Sequence, residues 1–170
     1  MEIFLLVSAT VLLALFFDFT NGFHDAANQV ATVIVSRALS PAKALALAAL
    51  GDFLGAYFLG TAVAETLGKG IVDPSLIAKD PGGIAVIIAA LIGAISWNLI
   101  TWRLGMPSSS SHALIGGLVG AFFVGWGAAP INLEKVRNIV FIMISSPLIG
   151  FAITYFVTRI TLGISAWLTP

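Results

Sequence analysis

The sequence predicts an all-α, polytopic membrane protein of about five helical elements, two of them discontinuous. Three observations lead there. The 170 residues are 59% hydrophobic and only 9% charged, with a mean hydropathy of +1.05. A soluble domain carries about 25% charged residues, so this chain lacks the polar surface needed to cover a core in water, and the bilayer is the expected solvent. The apolar residues fall into long stretches separated by turn-forming Gly, Pro and polar residues. Some of those stretches are also interrupted internally by Gly or Pro beside polar side chains.

The first apolar stretch runs from Ile3 to Phe17, short of the ~20 residues that cross the hydrocarbon core. It meets the polar run Asp18 to Asp25, which contains Gly22, and apolar character returns from Ala26 to Val35. This pattern predicts a helix broken at membrane depth. Glu2 to Asp18 has no basic leading region and no small-residue cleavage site, so the expectation is a retained helix rather than a removed signal peptide. Ser40 and Pro41 suit the N-cap and first position of a second helix reaching about Leu67. Lys69 to Gly83, with Asp73-Pro74 and Asp80-Pro81-Gly82, reads as a polar loop. A third helix is predicted from about Ile84 to Arg103. Gly105 and Pro107 then break the chain before a run of four serines, Ser108 to Ser111, and His112. Ala113 to Trp126 is a short apolar segment, Pro130 a turn, and Ile139 to Leu168 a last long stretch interrupted by Ser145-Ser146-Pro147.

Irregular backbone at membrane depth is tolerated only where protein or a water-filled cavity satisfies it, and discontinuous helices mark binding sites in secondary transporters. The basic residues give no orientation. Arg37, Lys43 and Arg103 fall on one side of a simple span count, and Lys69, Lys79, Lys135 and Arg137 on the other. The net charge is zero and there is no cysteine. A basic nucleic-acid face is therefore not expected, and disulfides and thiolate metal sites are excluded.

Two polar constellations can carry chemistry. In the first, Asp25, Asn28 and Thr32 stand at i, i+3 and i+7, on one helical face. An ionised Asp inside a membrane costs several kcal/mol unless paired or hydrated. Asp25 either caps a second half-helix or belongs to a polar stripe that Asn28 and Thr32 extend. Asp52, flanked by Gly51 and Gly55 in the second helix, is either satisfied by a neighbouring hydroxyl or takes part in the same site. The second constellation is Pro107 to His112. Its hydroxyls can cap a half-helix, and the same N-terminus, with free N–H groups and the positive dipole end, can bind an oxyanion. His24 and His112 have no metal-ligand spacing. Each His is sequence-adjacent to its nearest Ser or Asp, and adjacent helical residues do not face one another. With no G-x-S-x-G, H-E-x-x-H or Walker-type motif either, no enzyme is expected.

Asn21-Gly-Phe-His-Asp-Ala-Ala-Asn28 followed by Val30-Ala-Thr32 resembles the first signature of the inorganic phosphate transporter family, the sodium- or proton-coupled phosphate permeases. Met106-Pro-Ser-Ser-Ser-Ser-His112 resembles the second signature of the same repeat. Ala64 to Asp73, Trp97-Asn98 and Ser146 to Gly150 also match, so the resemblance covers nearly the whole chain. It implies a fold of two inverted-topology repeats, each with its own signatures, and phosphate uptake coupled to Na⁺ or H⁺. Residues that match by position are Asp25, Asn28, Thr32, Ser109, Ser111 and His112. Asp52 matches a position where the family often places an acid, and Ser108 one where the family varies.

This chain holds one copy of each signature where family members usually hold two. The whole of residues 1–170 is thus expected to be a single transmembrane repeat unit resembling the N-terminal half. The second repeat it implies is a C-terminal half or an inverted copy of the same chain.

Phosphate carries about one to two negative charges at neutral pH. The carboxylates of Asp25 and Asp52 would repel it unless cations arrive first, which is a physical reason to expect symport. On this reading Asp25, Asn28, Ser109, Ser110, Ser111 and His112 contact phosphate, while Asp25, Asn28, Thr32 and Asp52 offer oxygens to Na⁺, the expected coupling ion; no cofactor is expected. The rival readings are a proton-coupled or metal-phosphate carrier, a passive anion channel and a membrane-embedded hydrolase. The expected location is the cell (plasma) membrane.

Overall fold

The computed structural model describes residues 2–59, 70, 71, 75, 77, 80 and 82–168. Among these the regular structure is helical: α1 (Glu2–Val35), α2 (Pro41–Leu59), α3 (Gly83–Arg103), α4 (Ser110–Trp126) and α5 (Leu133–Leu168). The end of the second predicted helix, most of the loop at 69–83 and most of the 64–73 match to the family lie outside the described residues. The chain forms two compact units, residues 1–131 and 132–170. Three of the helices, α1, α3 and α5, are long and apolar enough to cross a membrane. The chain is an integral membrane protein.

The first predicted break is absent. α1 runs without interruption for 34 residues through Asp18 to Asp25, about 51 Å at 1.5 Å per residue. The reason lies in the backbone. Gly22 costs a helix about 1 kcal/mol relative to Ala, and the segment contains no proline to remove a hydrogen bond. Unpaired N–H and C=O groups in an apolar medium cost several kcal/mol each, so continuing the helix is the cheaper choice. A Cβ at Gly22 would meet nothing within 4 Å among the described residues, and among them this glycine serves no close approach.

The second predicted break is present. α3 ends at Arg103, Gly105 takes φ +65°, and α4 starts at Ser110. Gly105 N–H donates to Trp102 O and Met106 N–H to Thr101 O, closing the helix end. Pro147 was a third expected interruption, yet α5 passes through it unbroken. Proline lacks the N–H that would bond the carbonyl four residues back. Ser146 Oγ donates to that carbonyl, Met143 O, at 3.2 Å, and Ser145 Oγ donates to Phe141 O at 2.6 Å. The Ser146 hydroxyl thus replaces the one bond the proline removes, and Ser145 adds a second side-chain bond one turn before it. At its start, α5 is capped by Asn132, whose Oδ1 accepts from Lys135 N–H at 3.0 Å.

Within the first unit α3 is central. Its Leu91, Ala94 and Ile95 form a buried core with Phe17 of α1 and Ala113 of α4. α3 and α4 pack antiparallel and very closely. A Cβ on Gly117 would lie 2.5 Å from Ala90 O, and one on Gly125 would lie 2.9 Å from a methyl of Val86. Small residues let helix backbones approach where lipid offers no hydrophobic drive for association. The open end of this hairpin is tied by Trp126 Nε1, which donates to Asp80 Oδ2 at 2.5 Å. Asp80 Oδ1 also accepts from Gly82 N–H at 2.7 Å. The Trp126 bond and then the Gly82 bond hold the Asp80 carboxyl below its ordinary range, because both favour the charged form.

Candidate functional site

α1 and α3 run parallel, and that alignment assembles the polar residues. The helices meet at Phe17 beside Ala94 and Ile95, then at Phe23, whose ring lies edge-on to Trp102 with centroids 5.4 Å apart. Between these two apolar levels lies a buried polar layer. Thr20, His24, Asn98 and Thr101 are all buried. Both threonines bond to their own helices, Thr20 Oγ1 to Phe17 O and Thr101 Oγ1 to Trp97 O and Asn98 O. Asn21 Oδ1 and Asn98 Nδ2 are buried without a hydrogen-bond partner among the described residues. A buried amide left unpaired costs about 1–3 kcal/mol, so this layer is a place where the fold sacrifices stability.

Just beyond it a cavity of about 290 Å³ opens between α1 and the α3–α4 connection. Phe23, His24, Ala27 and Asn28 line one side, and Gly105, Met106 and Pro107 line the other. The cavity therefore sets the first polar segment against Gly105 to Pro107, the lead-in to the second, while Ser108 to Ser111 do not line it. A neighbouring cavity of about 460 Å³ is lined by Trp97 and His112 among small residues of α3 and α4.

The structure places the expected site residues as follows. Asp25 is half-buried on α1, its Oδ1 3.7 Å from Nδ1 of buried His24. That separation exceeds hydrogen-bond reach, and the contact is one of proximity only. Asn28 lines the 290 Å³ cavity, while Thr32 lies one turn further along α1 and is exposed. Asp52 on α2 is exposed, and Gln29 Nε2 of α1 lies 3.3 Å from each of its carboxylate oxygens. Ser109 is the N-cap of α4, its Oγ accepting from His112 N–H at 3.4 Å. Ser108 Oγ accepts from Trp97 Nε1 at 3.0 Å. Ser110 is half-buried in the first turn of α4, and Ser111 and His112 are exposed there.

This helix end is capped and also has the features that can hold an anion. Ser109 takes the capping role, and the turn that follows presents Ser110, Ser111 and their N–H groups at the positive end of the dipole. Gln29 is not singled out in the sequence, and His24, Trp97 and Asn98 are named there without a part in the site; His24 and Asn98 enter through burial, Gln29 through its partner on α2, and Trp97 through Ser108. Their roles arise from contacts between helices, and no local spacing announces those. Among the described residues no group of three or more His, Cys, Asp or Glu is placed to hold a metal ion. An ion bound here would use amide, hydroxyl and isolated carboxylate oxygens.

Residues 21–167 match the model of the phosphate transporter family. The chain is similar to a probable low-affinity inorganic phosphate transporter of Streptomyces halstedii, at 49% identity over 88% of this chain and 68% of the relative. It is similar to one of Rhizobium meliloti, at 44% identity over 98% of this chain and 48% of the relative. A counterpart from Bacillus subtilis is 46% identical over 91% of this chain and 46% of its own length. In two of these three the chain spans about half of the relative. Among solved structures it resembles one described as the sodium-dependent phosphate transporter, with a TM-score of 0.80 and 30% identity, over 94% of this chain and 39% of that one. The relatives are named as transporters, not as enzymes.

Proposed function

The chain belongs to the phosphate transporter family, and from that premise we propose that it is one repeat unit of a cation-coupled carrier of inorganic phosphate. The observation that carries this reading is the 290 Å³ cavity where His24 and Asn28 of the first signature face Gly105 to Pro107, which lead into the serines of the second. Phosphate is held at the start of α4 by Ser110 and Ser111, with Ser109 fixing that helix end and Asn28 and His112 supplying further polar contacts. Asp25, Asn28, Thr32 and Asp52 supply oxygens to the coupling ion, Na⁺. The order of events follows from charge. Two carboxylates and no basic side chain among these residues repel an anion until cations neutralise them, so ion binding precedes phosphate. The likeness to a solved sodium-dependent phosphate transporter supports Na⁺ over H⁺.

The test is labelled-phosphate uptake into proteoliposomes containing the chain together with its second repeat, with Na⁺ and pH gradients imposed separately. Saturable uptake driven by the Na⁺ gradient is expected. Uptake driven only by the pH gradient assigns H⁺ as the coupling ion, and non-saturable leakage in either gradient overturns the carrier reading in favour of a channel.

A further inference from the structure

The link between α1 and α2 rests on a pair that no sequence spacing announced. Gln29 Nε2 stands 3.3 Å from Oδ1 and 3.3 Å from Oδ2 of Asp52. The amide nitrogen is thus equidistant from the two carboxylate oxygens and favours neither. Gln29 also stands four residues after Asp25, on the same face of α1. The side chain that reaches Asp52 therefore springs from the face that carries Asp25, one turn further along.

From this geometry we infer that Gln29 is a positioning residue for the coupling ion: its carboxamide holds Asp52 against the signature face of α1 without neutralising it. The inference rests on the proposed cation coupling and deepens it. A carboxamide and an ammonium differ here in one decisive way. Both donate N–H groups to a carboxylate, but only the ammonium cancels the charge. A lysine in this place would satisfy Asp52 permanently, and a helix pair in an apolar medium would be better served by it. Glutamine instead orients the carboxylate and leaves its full negative charge for an ion that comes and goes. Gln29 also carries a carbonyl, Oε1, a neutral oxygen of the type suited to a hard cation. No cationic side chain is recorded within ion-pair distance of Asp52 among the described residues, consistent with a charge awaiting a mobile partner.

The test reads ion binding separately from transport. The purified chain is melted in mild detergent across a series of NaCl concentrations, with choline chloride holding ionic strength constant. The wild type is expected to gain thermal stability saturably with Na⁺. Gln29→Ala is expected to raise the Na⁺ concentration for half-maximal stabilisation at least fivefold. Gln29→Lys is expected to abolish the Na⁺ response while melting no lower than the wild type without Na⁺, because the ammonium takes the ion's place. Gln29→Asn, with its amide one methylene too short, should fall between wild type and Gln29→Ala. In proteoliposomes Gln29→Ala should shift half-saturation for Na⁺ and leave that for phosphate unchanged at saturating Na⁺, a split that a merely structural role would not produce. Na⁺ responses in Gln29→Ala and Gln29→Lys that match the wild type overturn the inference, as does a wild type indifferent to Na⁺. A wild type that is stabilised by Na⁺ yet carries no phosphate overturns the transport reading alone, and the role of Gln29 then stands or falls on the melting series.

Discussion

Asp25 shows how much chemistry one side chain can be asked to carry. It is half-buried on a membrane-spanning helix, and the nearest cation-capable group, His24, lies 3.7 Å away without a hydrogen bond. A carboxylate so placed is costly unless an ion neutralises it. Asp25→Asn keeps the shape and removes the charge, so gradient-driven phosphate uptake should be lost while the protein still folds. Normal accumulation by that variant would exclude Asp25 as a coupling residue. A different carboxylate makes stability sensitive to acid. The Asp80 carboxyl is held below its ordinary value of 3.8 by Trp126 and Gly82. A depressed carboxyl contributes stability that is complete above the unfolded value and is lost as pH falls through the folded one. Trp126→Phe removes the first of the two donors. Its melting temperature should therefore fall relative to wild type at pH 6, and the gap should narrow as pH drops below about 4. A gap that widens in acid would show that Trp126 acts through packing instead. The sequence made Asp25, Asn28 and the serine run legible because they are polar residues in an apolar chain. It could not show Gln29 against Asp52, which joins two helices, or Trp97 against Ser108, which joins α3 to the connection that follows it.

At the scale of elements, glycine has opposite meanings at different positions, and only the packing tells them apart. Gly117 is required by its neighbour, since a methyl there would sit 2.5 Å from Ala90 O, whereas a methyl on Gly116 would meet nothing within 4 Å. Gly117→Ala should therefore push α4 off α3 and destabilise the protein by about 1–3 kcal/mol, the usual cost of overpacking. Gly116→Ala should be neutral or slightly stabilising through helix propensity. Thermal melting of the two variants side by side checks this, and equal melting temperatures would refute the close α3–α4 approach. The same ambiguity explains which breaks the sequence foretold. At Gly105 the positive φ and the following Pro107 do end a helix. At Gly22 no proline follows, and the apolar surroundings favour an unbroken ladder. At Pro147 the preceding Ser146 returns the missing hydrogen bond to Met143 O. Residue types locate the irregular points, but only the supply of hydrogen-bond donors decides whether the helix stops. The long apolar stretches needed no such context, which is why α3 and the start of α4 appear close to their predicted places.

The molecule as a whole presents one copy of each signature, while relatives such as those of Rhizobium and Bacillus are about twice as long. This half-complement has an electrostatic consequence. The polar residues of the first unit include exposed Asn28, Thr32 and Asp52 on helices whose other exposed side chains are largely apolar. Facing lipid, they would be costly; facing a second repeat about an axis in the membrane plane, they would line a shared site. We therefore predict that residues 1–170 transport phosphate only when paired, either with a separate C-terminal repeat or with an inverted copy of the same chain. In proteoliposomes the purified chain and an added complementary repeat should together restore Na⁺-driven uptake at least tenfold above either alone, unless the chain pairs with itself. Self-pairing makes a further demand, because an inverted pair needs copies inserted both ways, and the basic residues set no firm topology. The chain has no native cysteine, so one cysteine introduced at Lys43 reports orientation cleanly. Labelling by an impermeant reagent from both sides of the membrane, together with a dimer by native mass spectrometry, would establish the inverted pair. Labelling from one side only would leave the separate C-terminal repeat as the partner. Full transport by a strict monomer would refute pairing altogether and require the site to be complete within a single chain.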